Sequence, residues 1–270
     1  MYRQILVPVR DAGEVEPLIR FAALLLEANG DIRLLHVIPT TTLPLVAREW
    51  RSSVNLVVPA HEAGAALDVR VDPEVRAATD VPGEILESAE AHDVDAILLT
   101  LGGDRRGRNP FVGHTASGIL HHAHADVIVL NRLALVADRF PRILVPTFRP
   151  TPPPKVLQVV EELSVRSPGD VPVVTLSLGP RGSKDDGAED QEETTARGVS
   201  FTHKRTAIPA AMLGRRLRLP ELILQAAGRE RFGLVVVGEE RDQGGDPLIT
   251  RRFLEELFRT APCPVMALRL

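Results

Sequence analysis

Ile5-Leu6-Val7-Pro8 recurs as Ile143-Leu144-Val145-Pro146, 138 residues further along the chain. At the same offset Ala96-Ile97-Leu98-Leu99 answers to Leu234-Val235-Val236-Val237, and Val127-Ile128-Val129-Leu130 to Val265-Met266-Ala267-Leu268. Three strand-like blocks at one fixed spacing indicate an internal duplication. The boundary is expected near Ala137, before Asp138-Arg139-Phe140-Pro141 leads into the second copy. That divides the chain into copies over 1–137 and 138–270.

Outward from these blocks the hydrophobic period alternates. Residues 4–9 read as a short buried strand. Residues 15–29 place Val15, Leu18, Ile19, Ala22, Ala23 and Leu26 at helical spacing, with Asn29-Gly30 as the stop. Strands are expected over 32–38, 67–76, 94–100 and 126–131. Helices are expected over 82–92, with Pro82 at its start, and over 112–124. Residues 43–62 read as a helix with a break near Pro59. The second copy predicts strands at 142–147, 171–177, 199–206, 233–238 and 264–269, and helices at 153–165, 218–229 and 247–260. Alternating strands and helices point to an α/β fold class, with two tandem Rossmann-like domains, each a five-stranded parallel doubly wound sheet. Between Pro180 and Gly198 the second copy carries Lys184-Asp185-Asp186-Gly187-Ala188-Glu189-Asp190-Gln191-Glu192-Glu193. That stretch has little to bury and is expected to be a flexible acidic loop over 180–198.

Composition narrows the function classes. The 270 residues carry 32 Lys+Arg against 36 Asp+Glu, a net charge of −4, without the clustered basic face of a nucleic-acid binder. The single cysteine, Cys263, excludes an internal disulfide and any cysteine-rich zinc module. No apolar run approaches the ~18 residues of a membrane span. Met1-Tyr2-Arg3-Gln4 has no signal-peptide pattern, so a cytoplasmic location is expected. No G-x-S-x-G elbow, H-E-x-x-H pair or G-x4-G-K-[ST] loop is present, and an enzyme is not expected.

The blocks together resemble the universal stress protein family. Ile5-Leu6-Val7-Pro8-Val9 is similar to its first strand and Leu35-His36-Val37-Ile38-Pro39 to the end of its second. Gly83-Glu84-Ile85-Leu86 is similar to the helix before strand four, and Ala261-Pro262-Cys263-Pro264-Val265 to the approach to its last strand. The resemblance implies a fold of the adenine-nucleotide alpha-hydrolase kind and a phosphate loop, G-x2-G-x9-G-[ST], after strand four. Glycines there let backbone approach phosphate, and a helix N-terminus favours the anion. Copy one keeps the spacing, with Thr100 at the first glycine place, Gly103 and Gly113 at the next two, and His114 then Thr115 at the end. The family's Asp after strand one is replaced by Arg10, with Asp11 following. Val37 and Leu99 fall at positions that line the adenine pocket in the family, and Pro8 is expected among the cofactor-binding residues. Copy two keeps Gly238 but places Arg241, Arg251 and Arg252 at the remaining loop positions and Phe148 at the Asp position. Bulky residues at glycine places block close backbone approach, so ATP or AMP is expected in copy one or in neither.

A narrower resemblance, carried by Val15-Glu16-Pro17-Leu18-Ile19 and Leu43-Pro44-Leu45 before Ala47-Arg48-Glu49, is to the stress-protein domains associated with amino-acid permeases and cation antiporters. It implies a regulatory partner of a secondary transporter. Three readings stand side by side: a stress-response protein that binds, a transporter-regulating domain, and a module without ligand. The resemblance also implies an intramolecular pseudo-dimer in which the last strands of the copies meet, with a homodimer as a further level of assembly. The Arg-rich stretch Asp104-Arg105-Arg106-Gly107-Arg108-Asn109 is either a phosphate clamp or a solvated loop. His114, His121, His122 and His124 lack an evident carboxylate partner and read as exposed helix-end histidines rather than a metal site. Cys263 reads as packed and structural, and Trp50 as core or interface filler.

Overall fold

In the computed structural model the described residues are 1–40, 43–101, 114–131, 134, 140–149, 152–169, 171–180, 191–196, 198–208, 219–239 and 251–270. The chain divides into two compact units, the first ending at Leu130 and the second built mainly from Asn131–Leu270.

The first unit is wound around strand β1 (Tyr2–Pro8). Ile5, Leu6 and Val7 are fully buried, because β1 pairs in parallel on both edges and is covered on both faces. Each such side chain contributes roughly 1.5–3 kcal/mol of apolar burial. Asp11 caps helix α1 (Ala12–Ala23), its carboxylate accepting from the Gly13 amide at 3.0 Å. Val15, Leu18, Ile19 and Ala22 form the buried stripe of α1. Strand β2 (Leu26–Pro39), helix α2 (Leu43–Leu67) and strand β3 (Arg70–Ala78) follow, then helix α3 (Val81–Ala91), strand β4 (Ala96–Thr100), helix α4 (His114–His122) and strand β5 (Asp126–Leu130). The order β3-β2-β1-β4-β5 is all parallel. The chain leaves β1 towards β3 and returns to β4 on the other side, so the topological switch lies between β1 and β4. Edge strand β3 carries Pro73 among Arg70, Asp72, Glu74 and Arg76, which discourages pairing with another chain.

The second unit repeats this plan with strand β6 (Ile143–Thr147), helix α5 (Pro154–Arg166), strand β7 (Val173–Pro180), strand β8 (Gln191–Ala196), strand β9 (Val199–Ile208), helix α6 (Leu219–Arg229), strand β10 (Leu234–Glu239), helix α7 (Arg251–Thr260) and strand β11 (Val265–Arg269). Its order is β11-β10-β6-β7-β9-β8, with the switch between β6 and β10.

The structure departs from the sequence reading in four places. Helix α1 ends at Ala23, and Asn29-Gly30 lie inside β2 instead of stopping a helix. Asn29 takes a left-handed φ of 66° there, beside an irregularity in the β1–β2 register between Tyr2 and Gln4. Helix α2 runs through Pro59 without ending. Within the stretch expected as an acidic loop over 180–198, residues 191–196 form β8, antiparallel to β9 and a sixth strand beyond the five expected, while 181–190 lie outside the described residues. Its sequence, Gln-Glu-Glu-Thr-Thr-Ala, has no apolar alternation, and the strand exists through backbone pairing with β9. Trp50 is about half exposed (49%) and fills no core of this unit.

Candidate functional site

The carboxyl ends of the strands at the two switch points are where the fold would seat a ligand. In the first unit this end is built from Arg10, directly after β1, and Thr100, the last residue of β4. Between them stands Glu14, in the first turn of α1, only 6% exposed. Its Oε2 accepts from the Arg10 backbone amide at 3.1 Å and from Arg10 Nε at 3.4 Å. Its Oε1 accepts from Arg10 Nη2 and, at 3.4 Å, from the Thr100 hydroxyl. The Glu14 hydrogen bond raises the Arg10 guanidinium above its ordinary pKa, against the opposing effect of burial. One ring nitrogen of His36, Nδ1, lies 2.9 Å from the Val9 carbonyl and donates to it, fixing the neighbouring backbone of the β1 end.

The other predicted site residues are placed less closely. Pro8 ends β1, half-buried. Val37 and Leu99 are buried at 8% and 5% exposure, in register with Arg76 of β3 and Val129 of β5 respectively. Thr115 is half-buried in the first turn of α4, and His114 supplies the first residue of that helix. Gly103, Gly113 and the arginines of 104–109 lie outside the described residues. Arg10 and Thr100 are therefore brought together, with Glu14 between them. Glu14 was not among the residues singled out from sequence, although its i,i+4 spacing to Arg10 is the signal that could have found it.

The second unit closes the same end with apolar groups. Phe148, directly after β6, meets Phe253 of α7 edge to face, ring centroids 5.7 Å apart and planes at 80°. Gly238 of β10 lies against α5. A Cβ there would stand 2.5 Å from Val156 Cγ2 and 3.2 Å from Leu268 Cβ. The first loop glycine of copy two thus serves strand–helix packing. Arg241 lies outside the described residues, as does the Arg251 side chain, while Arg252 is exposed on α7.

A cleft of about 570 Å³ opens in the first unit at the opposite, amino-terminal end of the strands, lined among others by Tyr2, Glu90, Asp95, His124 and Asp126. Tyr2 donates its hydroxyl to Asp126 at 3.2 Å, and burial pushes its phenol pKa upward. Burial would raise the Asp95 carboxyl. It is nevertheless held below its ordinary value because the Gln4 and Arg3 amides donate to it at 3.0 and 2.7 Å, with the Arg3 side chain adding a further bond. Among the described residues no group of three or more His, Cys, Asp or Glu side chains is placed to hold a metal ion. His121, His122 and His124 are exposed. Cys263 is half-buried, and burial pushes its thiol up to about 11.

With a parallel doubly wound sheet and a switch point at β1/β4 established, the class of the first unit follows. Residues 1–131 match the model of the universal stress protein family. Over its whole length the chain is similar to a universal stress protein from Archaeoglobus fulgidus DSM 4304, with TM-score 0.64, 14% identity, and 98% of this chain and 95% of that one covered. It is similar to a protein of unknown function from Pseudomonas aeruginosa PAO1, with TM-score 0.59, 11% identity and coverages of 99% and 92%. It is also similar to the cytoplasmic domain of a prokaryotic cation chloride cotransporter, with TM-score 0.60, 12% identity and coverages of 99% and 95%. At these identities the likenesses establish the fold, two Rossmann-like units in tandem. No curated protein matches the sequence. Among the described residues no helix is long and apolar enough to cross a membrane.

Proposed function

We propose that this protein is a non-catalytic, cytoplasmic stress-response module of the universal stress protein type, in which the first unit alone keeps a weak adenine-nucleotide site. The observation that carries this reading is the contrast between the two switch points. The β1/β4 end is polar, with the Arg10 side chain half exposed and the Thr100 hydroxyl beside it. At the β6/β10 end Phe148 packs edge to face on Phe253, and Gly238 packs against Val156. Calorimetric titration with ATP and AMP, with and without Mg²⁺, tests the reading. It expects one site per chain, with a Kd of about 0.1–1 mM, abolished by Gly113→Arg. Two sites per chain, or no binding at millimolar nucleotide, overturns it.

A second reading, a regulatory domain acting on a secondary transporter, is favoured by one observation. The chain is similar along nearly its whole length to the cytoplasmic domain of a cotransporter. Flux through the partner in proteoliposomes, measured with and without the added chain, tests this reading. Unchanged flux overturns it for that partner.

A further inference from the structure

Glu14 has two roles open to it. The plain one is capping of α1. A capping box would set the carboxylate of the third helical residue on the amide of the cap residue itself. Here Asp11 is the cap, yet Glu14 bonds the amide of Arg10, one residue earlier. Its two oxygens are then turned on the Arg10 guanidinium and the Thr100 hydroxyl, across the mouth of the β1/β4 switch. The carboxylate is nearly fully buried while its partner guanidinium is half exposed. A charge in that setting is held by its partners, since leaving it unpaired in a dry site is costly. Glu14 is thus the anion paired with Arg10 within the chain.

We propose that Glu14 is the specificity-determining residue of this end of the first unit: it closes Arg10 in an internal ion pair, and a phosphate-bearing ligand reaches Arg10 only when that carboxylate is displaced or neutralised. Arg presents a planar donor fork suited equally to a carboxylate and to a phosphate, so the two compete for one seat. A phosphate entering beside an intact Glu14 also meets a like charge in surroundings that screen it weakly. The inference builds on the reading of this end as a nucleotide site, and its test separates the two.

The test titrates sodium pyrophosphate and, separately, ATP into the full chain, for wild type, Glu14→Gln and the double variant Arg10→Ala/Glu14→Gln. Glutamine keeps the shape and removes the charge. Glu14→Gln is expected to bind pyrophosphate at least about tenfold more tightly than wild type, with the gain lost in the double variant. A folded Glu14→Gln protein that binds pyrophosphate no more tightly than wild type overturns the proposal. So does a gain that survives removal of Arg10, which would place the anion elsewhere. Should Glu14→Gln not fold, Thr100→Val removes only one tether of the carboxylate. It is expected to raise pyrophosphate affinity about threefold, and no gain there overturns the proposal equally. A pyrophosphate gain without ATP binding in any variant leaves Glu14's role standing and ends the nucleotide reading. Equal ATP binding by wild type and Glu14→Gln, with no pyrophosphate gain, does the reverse.

Discussion

Gly238 offers a clean separation between a glycine kept for a ligand and a glycine kept for packing. It sits in β10, paired with Leu268 of β11, where a Cβ would fall 2.5 Å from Val156 Cγ2, 3.2 Å from Val156 Cγ1 and 3.2 Å from Leu268 Cβ. Val156 is fully buried on α5, and its branched side chain has little rotamer freedom in a helix. It cannot swing away as the tip of a lysine would. Gly238→Ala should therefore cost about 1–3 kcal/mol, the usual range for overpacking a filled core. The cost should be relieved by shortening the neighbour. Val156→Ala alone leaves a cavity, but in the double variant the alanine methyl at 238 occupies part of it. The double variant should be more stable than the sum of the single effects by at least about 1 kcal/mol, a coupling typical of residues in direct contact. Urea unfolding of the four proteins measures this, and nucleotide titration of the same four should show no difference among them. Additive single effects would refute the packing account. So would a Gly238→Ala protein of unchanged stability that had lost nucleotide binding, since that would return the glycine to a phosphate loop.

Other consequences follow from the same geometry. Phe148→Ala and Phe253→Ala should each destabilise the second unit, with a coupling of about 0.5–1.5 kcal/mol in a double-mutant cycle, and neither should change nucleotide binding to the first. Within the second unit Asn131 is buried. Its Oδ1 accepts from the Val265 and Ala134 amides at 3.0 and 3.1 Å, and its Nδ2 donates to the Cys263 carbonyl at 3.1 Å. Asn131→Ala strands these three groups and should cost about 3 kcal/mol or more in thermal or urea unfolding, at roughly 1–3 kcal/mol for each group left unmet. Asp95→Asn should destabilise the protein at neutral pH. Because the folded carboxyl is held low, that stability is present above the unfolded value near 4 and is lost as pH falls through the folded value, so variant and wild type should converge in acid. Cys263, with a thiol near 11, should alkylate much more slowly than a free cysteine at pH 8 and accelerate as pH rises towards 11, which a pH series of iodoacetamide labelling would show.

The parts of this molecule that could be read from sequence are those where one physical rule acts alone. Ile5-Leu6-Val7 and Leu234-Val235-Val236 announce themselves because a strand buried on both faces has no polar alternation to confuse it. The repeat of three such blocks at one offset then supplies the architecture. Legibility fails where tertiary pairing overrides local preference. Asn29-Gly30 carries the signature of a helix stop, yet the segment already lies in β2, and the left-handed backbone of Asn29 is used within the strand. β8 has no strand signal at all and is stabilised by its antiparallel ladder with β9, from Gln191 opposite Lys204 to Ala196 opposite Val199.

The candidate site shows the same division at finer grain. That Arg10 and Phe148 depart from the Asp, and Thr100 from the first loop glycine, of the pattern the resemblance implies was legible. What stands in their place was not, because it depends on side chains brought in by neighbouring elements. Phe148 becomes a closure only when α7 carries Phe253 to within 5.7 Å of it. Arg10 becomes half of an ion pair, with only its partner buried, because the first turn of α1 points Glu14 back at it. The two closures differ in what they permit. Removing an aromatic pair exposes apolar surface and supplies no donor for an anion. An ion pair, by contrast, retains the guanidinium that an anion needs and can be opened by displacing one carboxylate. Of the two copies, the first therefore holds its half-exposed guanidinium in an ion pair that displacement of one carboxylate would open, and the second carries an aromatic contact at the corresponding place.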